Sequence, residues 1–113
     1  MDKKIKALFF DIDGTLVSFK THKIPQRTVD ALEQAKKNGV EVYISTGRPQ
    51  LIINNLGQIE HLIDGYITTN GARCFVGDKV VSQHAILPED VKKIIEAADR
   101  DDYPAIVVGE HHL

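Results

Sequence analysis

The hydrophobic pattern of this chain changes period several times. Lys6-Ala7-Leu8-Phe9-Phe10 is a short apolar run that ends in Asp11-Ile12-Asp13-Gly14-Thr15. Such a run, bounded by turn residues, predicts a buried strand over residues 5–11. Residues 12–24 are rich in turn formers and predict a loop with room for a short hairpin. Pro25 opens a helix in which Val29, Ala31, Leu32 and Ala35 are apolar across residues 28–37, and Asn38-Gly39 stops it. Residues 40–45 alternate and are β-branched, which predicts a second strand. Thr46-Gly47-Arg48-Pro49 is a loop, and Pro49 suits the first turn of a helix over residues 50–58. Residues 66–69 predict a third strand, closed by Asn70-Gly71. Residues 72–76 and 79–83 flank Gly77-Asp78 and read as a β-hairpin. Pro88-Glu89-Asp90 opens a further helix to about residue 99, with Val91, Ile94, Ile95 and Ala98 at helical spacing. Residues 104–108 read as a last strand. No internal repeat or low-complexity stretch interrupts the pattern.

The order β-α-β-α-β predicts an α/β fold with a parallel sheet and right-handed crossovers. The hairpin after the third strand breaks that rhythm. Residues 1–83 therefore form one unit, and residues 84–113 read as the opening of another, a β-α-β element with no closing helix.

Composition narrows the function classes. The chain has 113 residues, 42% hydrophobic and 27% charged, which suits a soluble domain. The formal net charge of −2, without a basic patch, argues against a nucleic-acid or membrane surface. The N-terminus lacks the apolar length of a signal peptide, and no run approaches a membrane span. The single cysteine, Cys74, cannot form an internal disulfide, which points to a reducing, cytoplasmic compartment. Cys74 itself reads as a small strand residue. His22, His61, His84, His111 and His112 are scattered, apart from the last pair, and read as solvated surface.

The chemistry concentrates at the end of the first strand. In open α/β sheets, ligands sit beyond the carboxyl ends of the strands, where Asp11 and Asp13 fall. Residues two apart on extended backbone can point the same way. Two such carboxylates repel unless a cation or a shared proton intervenes. Mg²⁺ suits them, because it takes one or two carboxylates plus substrate phosphate. A plainer reading of Asp13-Gly14 is a turn, and of Thr46-Gly47 a helix cap. Arg48 reads equally as a solvated charge, and Asn70-Gly71 is first of all a turn.

Together these segments resemble a family. Phe10-Asp11-Ile12-Asp13-Gly14-Thr15 looks like the first signature of the haloacid dehalogenase-like phosphatases, and Ile44-Ser45-Thr46-Gly47-Arg48-Pro49 like the second. Thr69-Asn70-Gly71-Ala72, followed by a hairpin, is similar to the Cof-type branch, whose cap is inserted after the third strand. The three signatures fall in order at predicted strand ends and cover residues 5–83. The resemblance implies a Rossmann-like core in residues 1–83 and the start of an α/β cap in residues 84–113. It implies a Mg²⁺-dependent phosphatase of small phosphorylated substrates such as sugar phosphates. Asp11 would be the nucleophile that becomes an aspartyl phosphate, and Asp13 the general acid and base. The Asp11 carboxylate and the Asp13 carbonyl would bind Mg²⁺. Thr46, Gly47 and Arg48 would contact the phosphoryl or substrate oxygens. Gly14 would permit the sharp turn, and Asn70 would order the loop beside the nucleophile.

The family pattern also includes a lysine and an acidic Gly-Asp-Gly-x-Asn-Asp motif after the cap, and this sequence stops before both. The expectation is an incomplete N-terminal portion with a bare flank on its first strand. An apolar, unpaired edge invites pairing with another chain, so a homo-oligomer or strand-swapped assembly is expected. Two other readings stay open: a receiver-like phospho-acceptor module, and a non-catalytic fragment that binds Mg²⁺ or a partner.

Overall fold

The computed structural model of the chain describes residues 4–109. The chain divides between Gln83 and His84 into two compact units. In the first, β1 (Ala7–Phe10), β2 (Glu41–Ser45), β3 (Gly65–Thr68), β4 (Arg73–Val76) and β5 (Lys79–Gln83) form one sheet in the order β1-β2-β3-β4-β5. β1, β2 and β3 run parallel, while β4 and β5 return antiparallel as a hairpin. This is a mixed α/β sheet, and β1 is one of its edges.

Helix α1 (Gln26–Lys37) makes the crossover from β1 to β2. Pro25 precedes it, and its carbonyl accepts the N–H groups of Thr28 and Val29. At the other end, Val40 N–H donates to Ala35 and Gly39 N–H to Lys36. This is a Schellman closure, and it needs the left-handed backbone of Gly39, φ 82°. Val29 and Leu32 face inward against Val42 and Ile44 of β2, and Ile12, Leu16, Val17, Ile24, Leu56 and Ile59 complete the core. That core covers one face of the sheet. The other face carries Phe9, 58% exposed, stacked on Tyr43 with ring centroids 5.0 Å apart.

Two predicted elements differ. Residues 50–58 do not form an α-helix. Two single 3-10 turns, Gln50–Ile52 and Glu60–Leu62, stand in that crossover instead. Adjacent Ile52-Ile53, then Asn54-Asn55 and Gly57, are poor helix interior, and side-chain contacts to neighbouring loops decide the path. Residues 104–109 carry no strand pairing. An apolar β-branched run becomes a strand only where a neighbour supplies its ladder, and none does so among the described residues. In the second unit, helix α2 (Pro88–Asp101) forms as expected, with Pro88 in its first turn and left-handed Asp102 at its end. The predicted pair His111-His112 lies outside the described residues. Among the described residues, no helix is long and apolar enough to cross a membrane.

Asp64 ties α1, β2 and the entry to β3 together. Its Oδ2 accepts the Lys36 ammonium at 2.6 Å and the Val42 N–H at 2.7 Å, and its own N–H donates to the Val42 carbonyl at 2.7 Å. Burial raises the carboxyl pKa, but Lys36 and the Val42 N–H outweigh it and leave it below the ordinary value. A carboxylate with a depressed folded pKa stabilises the fold above its unfolded value, and the contribution is lost as pH falls through the folded value. Asp64→Ala is therefore expected to cost about 1–2 kcal/mol at neutral pH. That gap to the parent chain should close as denaturation is followed below the ordinary carboxylate range.

We propose that this 113-residue chain pairs with a second copy along β1, which has no neighbour on one side among the described residues and has Phe9 exposed beside it. Sedimentation at rising concentration should show association, weakened by Phe9→Lys. A monodisperse monomer throughout would count against it.

Candidate active site

The site begins with Ile12. This side chain is fully buried in the core, and it anchors the turn that follows β1. Its carbonyl accepts the N–H groups of Thr15, Leu16 and Val17, and Gly14 N–H donates to the Val17 carbonyl. Gly14 has φ 78°, a conformation that an L side chain rarely adopts. With Ile12 turned inward, Asp11 and Asp13 on either side of it are held at the surface of the strand end.

The two carboxylates have different surroundings. Asp11 is exposed, and its Oδ1 accepts the N–H of Ile12 at 2.8 Å. Asp13 is locked to Arg48: Nε donates to Oδ2 and Nη2 to Oδ1, both at 2.8 Å. The third guanidinium nitrogen, Nη1, donates to the Ile52 carbonyl at 2.7 Å and approaches Asn54 Oδ1 at 3.5 Å. A bidentate pair of this kind is directional as well as charged. The Arg48 hydrogen bonds hold the Asp13 carboxyl below the ordinary carboxylate value; burial opposes them, and the Arg48 charge adds to them with a lesser contribution from the Asn55 side chain.

Thr46 and Gly47 follow β2 and come to the same strand ends. The Thr46 side chain is buried, and its Oγ1 accepts the Arg48 N–H at 3.0 Å. That contact fixes the oxygen and leaves the hydroxyl hydrogen to donate elsewhere. The turn after β3 is stapled onto this loop, since Thr69 N–H donates to the Arg48 carbonyl and Asn70 N–H to the Thr46 carbonyl, both at 3.1 Å. Thr69, Asn70 and Gly71 all have positive φ. For a β-branched threonine this is a strained conformation that the surrounding bonds must maintain. Asn70 Oδ1 would lie 2.9 Å from a Cβ on Gly47, so a larger residue there would push the Asn70 amide aside. These elements form an open cleft of about 580 Å³ lined by Asp11, Ser45, Thr46, Gly47, Asn70 and Gly71 together with apolar Phe9 and Ile67.

The structure thus gathers Asp11, Thr46, Gly47 and Asn70 around one cleft. Asp13 and Arg48 are paired with each other beside it, and Gly14 shapes the turn. Ser45, Ile52, Asn54 and Asn55 contribute without having been singled out from the sequence. Only the Asn54-Asn55 pair, awkward inside a helix, carries a signal that could have drawn notice.

Residues 8–113 match the family model of haloacid dehalogenase-like hydrolases. The chain belongs to this family. Among haloacid dehalogenase-like relatives, a Mycoplasma pneumoniae (strain ATCC 29342 / M129 / Subtype 1) protein provisionally named a phosphatase is 33% identical over 97 residues. That alignment takes in 84% of this chain and 34% of the relative. Phosphatase YwpJ of Bacillus subtilis (strain 168) is 34% identical over 68 residues, 60% of this chain and 24% of YwpJ. The solved structure of the subclass IIB sugar phosphatase BT4131 is 55% identical, with a TM-score of 0.88 over 94% of this chain and 42% of that one. A second solved structure, described for a trigonal-bipyramidal intermediate in a phosphoryl-transfer superfamily, is 53% identical with a TM-score of 0.90, over 96% of this chain and 42% of that one. The chain spans about a third of the length of the first curated relative.

Because Gly47 and Asn70 are in contact, their substitutions should not add. Gly47→Ala is expected to destabilise the parent chain by about 1 kcal/mol, and to cost markedly less in an Asn70→Ala background. Thermal denaturation of the four variants checks this.

Proposed function

We propose that this chain carries the nucleophile, the acid–base carboxylate and the phosphate-contacting loop of a Mg²⁺-dependent phosphatase of small phosphorylated metabolites, sugar phosphates among them. The observation that carries this reading is the unequal treatment of the two aspartates. Asp11 stands open to the cleft, while Asp13 is held by Arg48 beside it. The likeness to a sugar phosphatase at 55% identity supports the substrate class. The single Cys74 and the lack of a basic patch fit a cytoplasmic enzyme of small metabolites, with no nucleic-acid or membrane partner.

In this reading an Asp11 carboxylate oxygen attacks phosphorus and the bond to the leaving alcohol breaks. Asp13, ionised and paired with Arg48 in the free chain, would first have to take up a proton from solvent to pass it to that alcohol, and Asp11 is left as an aspartyl phosphate. Asp13 then takes a proton from water, which attacks the phosphoryl group and releases phosphate. The Thr46 hydroxyl and the Gly47 N–H are the neutral donors available to the phosphoryl oxygens, over which charge spreads in the transition state. Arg48 is directed at Asp13, Ile52 and Asn54, so its part is to orient Asp13 rather than to bind phosphate.

Among the described residues no three acidic, histidine or cysteine side chains converge as a metal cage. The donors present still fit Mg²⁺: the Asp11 carboxylate and the Asp13 carbonyl are hard oxygens, and the ion commonly retains waters and shares substrate phosphate. When bound, it would neutralise charge on the phosphoryl oxygens.

Phosphate release from a generic aryl phosphate, measured with Mg²⁺ and with chelator, tests the proposal. Turnover should require the metal, and Asp11→Asn should reduce it at least about 100-fold while the fold persists. Turnover unchanged in that variant would sink the assignment.

A further inference from the structure

A second cavity, of about 400 Å³, lies between the crossover from β2 to β3 and the strands β3 and β4. It shares no lining residue with the cleft. Adjacent residues of a strand face opposite sides of its sheet, so Tyr66 lines this cavity while Ile67 lines the cleft. Leu56 belongs to the core, and Ile53 and Tyr66 pack against it. The cavity is therefore on the covered face of the sheet, not on the bare face that carries Phe9.

Its walls differ in chemistry. Tyr66 and Phe75 form an aromatic wall, stacked with ring centroids 5.1 Å apart, and Ile53 and Leu56 extend the apolar surface. Gln50 and Asn54 add neutral amides, Gly57 adds only backbone, and Glu60 adds a carboxylate. Gln50, Asn54 and Glu60 are exposed, whereas Leu56 and Phe75 are buried. An apolar base with a few polar groups at its mouth is the common form of a small-molecule site.

Charge then selects the ligand. Glu60 is the one charged side chain of the lining, and the ion pairs among the described residues do not engage it. A phosphate or a carboxylate would meet like charge there, with no cationic side chain in the lining to neutralise it. A cation would meet both Glu60 and the negative face of an aromatic ring. The same wall attracts a cation from within the chain, since the Arg73 guanidinium sits 5.7 Å from the Phe75 ring centroid, outside the lining. The Glu60 charge is felt inside the cavity as well. Burial raises the Tyr66 phenol above its ordinary pKa, and Glu60 raises it further.

We propose that this cavity binds a small organic cation, a protonated amine carried on an apolar ring, with the ammonium at Glu60 and the ring against Tyr66 and Phe75. The proposal stands apart from the phosphatase reading, because no residue of the cleft lines this cavity.

The test uses the ¹⁵N-labelled 113-residue chain and three probes that share a phenyl ring: 2-phenylethylammonium, 2-phenylethanol and 3-phenylpropionate. In an NMR titration the cation should give shifts that saturate below about 10 mM and centre on the backbone amides of Gln50, Gly57 and Glu60. It should bind at least about tenfold more tightly than the anion, with the alcohol between them. Glu60→Gln should keep the parent's melting temperature and cut the preference for cation over anion to about twofold or less. No saturation by about 10 mM would overturn the proposal, as would shifts centred outside the lining. So would an anion or alcohol that binds as tightly as the cation, or a folded Glu60→Gln chain that keeps the parent's preference. Were Glu60→Gln not to fold, the ranking of the three probes on the parent chain would decide alone. None of these readouts uses turnover, so a chain that releases no phosphate but ranks the probes as stated keeps this site and loses only the phosphatase reading.

Discussion

Two negative charges two residues apart, at the end of a strand whose intervening side chain is fully buried, form the constraint on which this molecule is built. Ile12 cannot turn outward without emptying the core, so Asp11 and Asp13 cannot turn inward. Like charges so placed repel each other unless something neutralises one of them. The bidentate Arg48 pair does this for Asp13 and leaves Asp11 to the cleft. The difference between the two aspartates therefore comes from the second strand end, which delivers Arg48, and not from the first.

That delivery depends on loops that brace one another. The Thr46 hydroxyl accepts the Arg48 N–H, the turn after β3 donates two N–H groups to the same stretch, and the Asn70 amide rests over Gly47. The left-handed backbone at Thr69 and Asn70 is the strained part of this arrangement. Strain of that kind persists where the surrounding bonds over-determine it, as at a site that must be rigid before its ligand arrives.

The elements legible in the sequence are those whose signals are local. The period of α1, its Asn38-Gly39 stop, the apolar run of β1 and the Gly77-Asp78 hairpin each carry their own chemistry, and each forms where the pattern places it. Asp11, Thr46, Gly47 and Asn70 were legible because strand ends converge in a parallel sheet. The second crossover was not. Its Ile-Ile-Asn-Asn stretch is shaped by what Arg48, Asp13 and the core require of it, and those partners are distant in sequence. Residues 104–109 fail as a strand for a related reason, since an extended run carries no information about whether a neighbour is there to pair with it. Arg48 shows the limit for single residues. Its type suits phosphate, and only the folded structure reveals that a carboxylate occupies its donors.

The electrostatic balance at the cleft carries the argument one step further. In the phosphatase reading proposed above, a phosphomonoester would bring negative charge toward Asp11, itself a carboxylate. The residues lining the cleft include no cationic side chain, and the nearby guanidinium is committed to Asp13. Hydroxyl and backbone N–H donors can distribute charge in the transition state, but they cannot offset the approach of two anions. Positive charge must therefore enter from outside this set of residues. The hard oxygens of Asp11 and the Asp13 carbonyl suit a divalent cation. On that reading Asp11 supplies the attacking oxygen and Thr46 and Gly47 the neutral donors, while a cation held by the Asp11 carboxylate and the Asp13 carbonyl would supply the positive charge that the cleft lining lacks.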